Sequence, residues 1–247
     1  MTDPTRVAIV TGGGTGIGAA TCKRLAQDGC RVVVGYSRSH DGASAVAAAI
    51  NEGGGTAMAA AADICDEQAV IALFAKTEAE YGGVDIVINN AGVGHLKPVA
   101  DISMDEYDYM FNLNTRGTFM MCREAARKIR DHGRIINIST GATTSNSAGM
   151  SLYTASKIAI EGFTKVLARE LGPRNIAVNV VSPGMTDTPM LDGGDADALR
   201  KYGASAAAMQ RCGEPGDIAD AVAALVSRDG RWITGQNIGV NGGMTII

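Results

Sequence analysis

Aromatic side chains are scarce in this chain, 4% of its 247 residues, although 46% of the residues are hydrophobic. A core must therefore be built mainly from Ala, Val, Ile, Leu and Met, which are plentiful enough for a large one. Excess positive charge is lacking too. A formal net charge of −4 and a pI near 5.4 leave no basic stripe, which weighs against nucleic acid or an anionic membrane as the principal partner. The five cysteines, Cys22, Cys30, Cys65, Cys122 and Cys212, form no CxxC and do not cluster with the three histidines, so neither a disulfide framework nor a metal site is expected. Long apolar runs are missing, and "MTDPTRVAIVTGGG" has no basic region followed by an apolar core. The expectation is a soluble, unprocessed protein of the reducing cytoplasm, with no membrane span.

What is present is a rhythm. Short β-branched runs recur at Arg6–Thr11, Arg31–Tyr36, Val84–Asn90, Gly133–Ser139, Ile176–Gly184 and Asn237–Val240, and Thr56–Asp63 supplies a weaker one rich in alanine. Helical segments are predicted between them at Gly16–Asp28, Gly42–Glu52, Glu67–Tyr81, Met104–Asp131, Ser151–Gly172 and Pro215–Ser227. Apolar strands alternating with helices imply a parallel sheet covered on both faces. The fold class is thus α/β, a doubly wound Rossmann fold with right-handed crossovers, in a single domain spanning 1–247. The polar, Gly-containing segment 185–212 breaks the rhythm. It follows the carboxyl end of a strand, where loops surround the ligand crevice, and is a candidate substrate lid.

"TGGGTGIG" joins the first strand to the first helix. Gly12 permits a tight turn, Gly16 allows close approach of a pyrophosphate, and Gly18 lets the helix lie against the sheet; Thr15 and Ile17 stand among them. Free amides at the helix start would face the phosphates. Asn90, Ala91 and Gly92 of "NNAG" follow the fourth strand as a second wall of the crevice. Asp63, with Ile64 beside it, either accepts from an adenine amino group or caps the next helix in competition with Asp66. About 20 residues past the glycine loop, where an acid would grip a ribose, stand Tyr36, Ser37 and Arg38. Without that acid nothing repels a 2′-phosphate, and Arg38 is placed to bind one, unless it is merely an exposed loop arginine. In "YTASK", Tyr153 and Lys157 share a helix face, so the lysine's charge is expected to lower the tyrosine's pKa for acid/base work.

Taken in order, TGxxxGxG, NNAG, an asparagine in the following helix, hydroxyls after the next strand, YxxxK and "SPG" resemble the short-chain dehydrogenase/reductase family across essentially the whole chain. The resemblance implies Asn114, rather than Asn112, as the asparagine that positions a water between Lys157 and solvent. It implies Tyr153 as proton donor to a carbonyl oxygen and Lys157 as the group that holds the nicotinamide ribose. The catalytic hydroxyl falls on Thr140, thirteen positions before Tyr153, with Ser139 as the alternative. Pro183, Gly184, Thr186 and Thr188 match the nicotinamide and phosphate contacts. The implied activity is NADP(H)-dependent interconversion of a ketone or aldehyde with an alcohol, NADP(H) being favoured over NAD(H), in an enzyme similar to 3-oxoacyl carrier-protein reductases. The resemblance also implies self-association as a homotetramer. An NAD-linked alcohol, sugar or steroid dehydrogenase and a nucleotide sensor without turnover are the competing readings. An acyl carrier would need a basic patch, for which Arg116, Arg123, Arg127, Lys128 and Arg130 are candidates.

Overall fold

A computed structural model describes residues 5–193 and 195–245, so residues 1–4, 194 and 246–247 of the expected domain lie outside the described residues. Seven parallel strands form one sheet in the order β3-β2-β1-β4-β5-β6-β7. In chain order the elements are β1 (Val7–Val10), α1 (Gly16–Gln27), β2 (Arg31–Tyr36), α2 (His40–Glu52), β3 (Thr56–Ala61), α3 (Glu67–Tyr81) and β4 (Val84–Asn89). Then come α4 (Met104–Met110), a π-helical stretch Phe111–Gly117, α5 (Thr118–Lys128), β5 (Ile129–Ile138), the short α6 (Ala142–Ser145) and α7 (Ser151–Leu171). After β6 (Ala177–Pro183) follow a 3₁₀ turn Pro189–Gly193, α8 (Ala196–Ala206), α9 (Pro215–Val226) and β7 (Asn237–Val240).

The strands are apolar on both sides because both faces are covered. Val10, Val32, Val34, Ile86 and Ile88 pack with Cys22 and Leu25 of α1, Val46 and Ile50 of α2 and Val222 of α9. On the opposite face Ile9, Val33, Val87, Ile135 and Val178 pack with Leu73 and Phe74 of α3, Met121 of α5 and Leu171 of α7. The doubly wound α/β class holds. Strand order reverses between β1 and β4, and this is where the carboxyl ends of an open sheet leave a crevice.

Two boundaries differ from the sequence expectation. The helix expected over 104–131 is divided into α4, the π stretch and α5, and the chain enters β5 at Ile129. There Ile129 pairs with Val84, the register breaks, and Arg134 resumes opposite Ile86. The third strand ends at Ala61, so Asp63 does not close it. Asp66 is the cap: its side chain accepts from the Gln68 amide, while the Asp63 carboxylate accepts from the Cys65 amide two residues on, in a local turn.

Within 185–212 loop alternates with short helical pieces, the 3₁₀ turn and α8. Thr186 bridges to Gly213, α8 packs Gly203 against Met185, and a Cβ on Gly16 would touch Thr188 and Pro189. The segment therefore lies across the mouth of the glycine loop. Among the described residues no helix is long and apolar enough to cross a membrane, and no group of three His, Cys, Asp or Glu side chains could hold a metal ion.

Candidate active site

The glycine loop is fixed by its neighbours. Gly12 and Gly16 have φ of +63° and +50°, the left-handed region that side chains disfavour. A Cβ on Gly18 would run into the Gly12 carbonyl oxygen and lie 2.6 Å from Asn90 Nδ2. Asn90 ties the two sides of the crevice together: its Nδ2 donates to the carbonyls of Thr11 (3.0 Å) and Gly12 (3.2 Å), and its amide donates to Thr11 Oγ1 (3.1 Å). The Ala91 amide donates to the same hydroxyl at 3.1 Å. Thr15, at the start of α1, makes no side-chain capping bond, and the first turn, which contains Ile17, carries no acid. Helix N-termini leave their first amides without intrahelical partners, so this one fits an anionic diphosphate.

At the outer end of the crevice Tyr36 is half-buried with its ring edge toward His40, and Ser37 and Arg38 are exposed. Ile64 is buried beneath Gly117, whose Cβ would come within 2.8 Å of it. At the inner end, Pro183 accepts from the Gly141 amide, Gly184 donates to Val240, and buried Thr186 bonds the Gly184 carbonyl at 3.0 Å.

The π stretch delivers Asn114 to the centre, a common use of such bulges at functional sites. Asn114 is fully buried. Its Oδ1 accepts from the Val93 amide at 2.9 Å, and its Nδ2 donates to the Val93 carbonyl at 2.8 Å and to Ser156 Oγ at 3.0 Å. Both amide protons are thus in use, and a single acceptor position on Oδ1 remains. Asn112 instead bonds Arg116 on the helix surface. A Cβ on Gly92 would fall 3.0 Å from Asn114 Oδ1 and 3.2 Å from Lys157 Nζ, which places these two groups side by side.

Lys157 is buried and donates to the Ile138 carbonyl at 2.9 Å; burial pushes its pKa down to about 8. Tyr153 differs from the expectation. Burial raises its phenol above the ordinary value of 10, and the hydrogen bond from the phenol's neighbour Thr140 opposes this without reversing it. The protein alone therefore holds Tyr153 protonated. Thr140 and Ser139 diverge as alternation along a strand requires: Thr140 meets Tyr153, whereas Ser139 Oγ donates to Glu161 at 2.7 Å on α7.

Several residues of this arrangement escape sequence reasoning. Ser156 links the Tyr153 carbonyl, to which it donates at 2.7 Å, with Asn114; its place three residues after Tyr153 is the helical signal that was there to find. Gly94 lies against the Tyr153 ring, where a Cβ would come within 3.1 Å of Cε2. Glu161 and Tyr109, partners of Ser139 and Arg38, carry no local sequence signal.

Comparison with known proteins agrees with this geometry. The family model described as enoyl-(acyl carrier protein) reductase matches residues 12–245. A probable tetrahydroxynaphthalene reductase of Zymoseptoria tritici is 39% identical, over 96% of this chain and 93% of its own length. A short-chain dehydrogenase of Burkholderia cenocepacia, solved in complex with NADP, is 42% identical with a TM-score of 0.91 over 98% of both chains. The angucycline C-6 ketoreductase LanV, solved with bound NADP, is 34% identical with a TM-score of 0.91 over 98% of this chain and 96% of its own. With its glycine loop, buried asparagine and paired Tyr153 and Lys157, the chain is an oxidoreductase-type Rossmann protein that belongs to the short-chain dehydrogenase/reductase family.

Proposed function

We propose that the protein is an NADP(H)-dependent carbonyl reductase that interconverts a small ketone or aldehyde with its alcohol. The observation that carries this reading is the Tyr153 phenol, held protonated beside the Thr140 hydroxyl with the Lys157 ammonium one helical turn away. The dinucleotide, when bound, supplies or accepts the hydride. Tyr153 gives its phenolic proton to the carbonyl oxygen in reduction and takes it back in oxidation. Thr140 donates to the same oxygen and orients it. Lys157 holds the nicotinamide ribose, and its charge favours the phenolate against the pull of burial. Asn114 keeps Val93 and Ser156 in place and can only accept from a water, through Oδ1, on the side facing Lys157. Ser139, turned toward Glu161, is left outside the reacting set.

Cofactor choice rests on Arg38, on the lack of an acid at Tyr36 or Ser37, and on the NADP bound by the two solved relatives. The diphosphate would lie on Gly12, Thr15, Gly16, Ile17 and Gly18, with Thr188 above it, the adenine by Asp63 and Ile64, and the nicotinamide by Pro183, Gly184 and Thr186. The segment 185–212 acts as the substrate lid. A free carbonyl compound suits the surface better than an acyl carrier. Of the basic candidates, Arg123 pairs with Glu67, Arg127 with Glu124, Lys128 with Glu78 and Arg130 with Asp85. Exposed Phe119, Ile158 and Val166 on α5 and α7 support a homotetramer, and light scattering that shows a monomer would contradict it. The activity is tested by NADPH oxidation with a panel of ketones. Tight NADPH binding with no turnover across the panel would favour a nucleotide sensor instead.

A further inference from the structure

Arg38 stands exposed in the short loop between β2 and α2, yet its guanidinium is held. Its Nη2 donates to the phenol oxygen of Tyr109 on α4 at 2.7 Å, across a sequence separation of 71. Three walls meet at this point. Tyr36 ends β2 with Ser37 and Arg38 after it, Asp63 to Cys65 follow β3, and Tyr109, Arg116 and Gly117 belong to α4 and the π stretch. The second and third walls are joined, since Gly117 packs on Ile64 and Arg116 Nη1 donates to the Cys65 carbonyl at 2.9 Å. The Cys65 thiol, pushed up to about 11 by burial and Asp63, is pulled the other way by both Arg116 and Arg38, so the two guanidinium groups border one place.

We infer that Tyr109 is a positioning residue for the adenosine 2′-phosphate, holding Arg38 at the rim of the adenosine pocket where a phosphomonoester dianion would enter, with Arg116 beside it. This rests on the reading of Arg38 as the 2′-phosphate ligand. A loose arginine loses rotamer freedom when it takes up a ligand, and a partner that fixes it beforehand reduces that loss. Tyr109 is suited to this because it is neutral: a carboxylate would fix Arg38 equally well but would repel the phosphate. One of the five guanidinium protons goes to Tyr109 and four are left for phosphate oxygens.

The test is the affinity of the full-length protein for NADPH and NADH, read from cofactor fluorescence at fixed ionic strength, for wild type, Tyr109→Phe, Arg38→Ala and the double variant. Arg38→Ala should raise the NADPH Kd about 10- to 100-fold, as loss of a charge-assisted contact does. Tyr109→Phe should raise it about two- to fivefold, the scale of an exposed hydrogen bond to a charge, with NADH affinity and thermal stability unchanged. In the double variant the second substitution should add nothing. Equal weakening of NADPH and NADH by Tyr109→Phe, no weakening, or tighter NADPH binding would each overturn the role given to Tyr109. If Arg38→Ala leaves NADPH affinity unchanged, the cofactor reading itself fails, and the positioning role with it.

Discussion

Replacing Gly18 by alanine tests the crevice where its geometry is tightest. The added Cβ would run into the Gly12 carbonyl oxygen, a backbone atom, and lie 2.6 Å from Asn90 Nδ2, the end of a side chain pinned by its bonds to the Thr11 and Gly12 carbonyls. Either α1 moves away from the sheet or Asn90 gives up its bonds to the Thr11 and Gly12 carbonyls. Overpacking of this kind costs about 1–3 kcal/mol. Each lost hydrogen bond adds about 0.5–1.5 kcal/mol. Alanine in a helix returns about 1 kcal/mol relative to glycine. The net expectation is a loss of about 2 kcal/mol, which for a domain of this size lowers Tm by about 4–8 °C. Circular dichroism melts of Gly18→Ala and of Gly216→Ala make the comparison. Gly216, exposed near the start of α9 with nothing within 4 Å of its would-be Cβ, should tolerate alanine without loss. A Gly18→Ala melt coincident with wild type would refute the packing argument, and with it the account of why the loop holds its shape.

Other substitutions separate the roles within the site. Thr140→Ala should lower kcat by about 100-fold or more, the scale of acid/base assistance, while Ser139→Ala, which loses only the bond to Glu161, should stay within a few-fold of wild type; the reverse order in steady-state assays would move the catalytic hydroxyl to Ser139. Because Lys157 is held near 8 in the fold against 10.5 in the unfolded chain, the unfolded state binds the extra proton between those values, so this residue makes stability rise with pH from about 8 to 10.5. Urea denaturation across that window should show the rise in wild type and lose it in Lys157→Met, and an identical pH dependence in both would count against the buried ammonium. Tyr153 has the opposite sign. Its raised pKa makes the fold lose stability above pH 10, a loss that Tyr153→Phe should remove in the same titration.

Most of the architecture could be read from the chain because every strand but the alanine-rich β3 is a short β-branched run and each helix begins or ends near glycine or a polar cap. The exceptions have tertiary causes. "MDEYDYMFNLNTRGTFMMC" holds no proline, and its weak helix formers, Asn112, Asn114, Thr115 and Gly117, do not specify a π stretch; it arises because Asn114 is drawn to the Val93 backbone and Thr115 to the Ser156 carbonyl, both distant in sequence. The early start of β5 is carried by Ile129, which pairs with Val84 before a register break that the polar residues Arg130 to His132 conceal. Asp63 and Asp66 looked equivalent as caps until the strand ended two residues sooner. Of the site, the glycine loop and the Tyr153 and Lys157 pair were legible from spacing. Their supports were not, since Ser156, Gly94, Glu161 and Tyr109 act through contacts that sequence spacing alone does not reveal. The direction of the Tyr153 shift has a related reason: the i, i+4 spacing to lysine is visible in the sequence, whereas the burial that raises the phenol is not.

The most direct test is a set of initial-rate measurements with a ketone panel, comparing NADPH with NADH for wild type and Tyr153→Phe. Turnover of at least one ketone is expected with a clear preference for NADPH, falling about 100-fold or more in Tyr153→Phe while NADPH still binds. A wild-type preference for NADH, or a Tyr153→Phe rate equal to wild type, would contradict it.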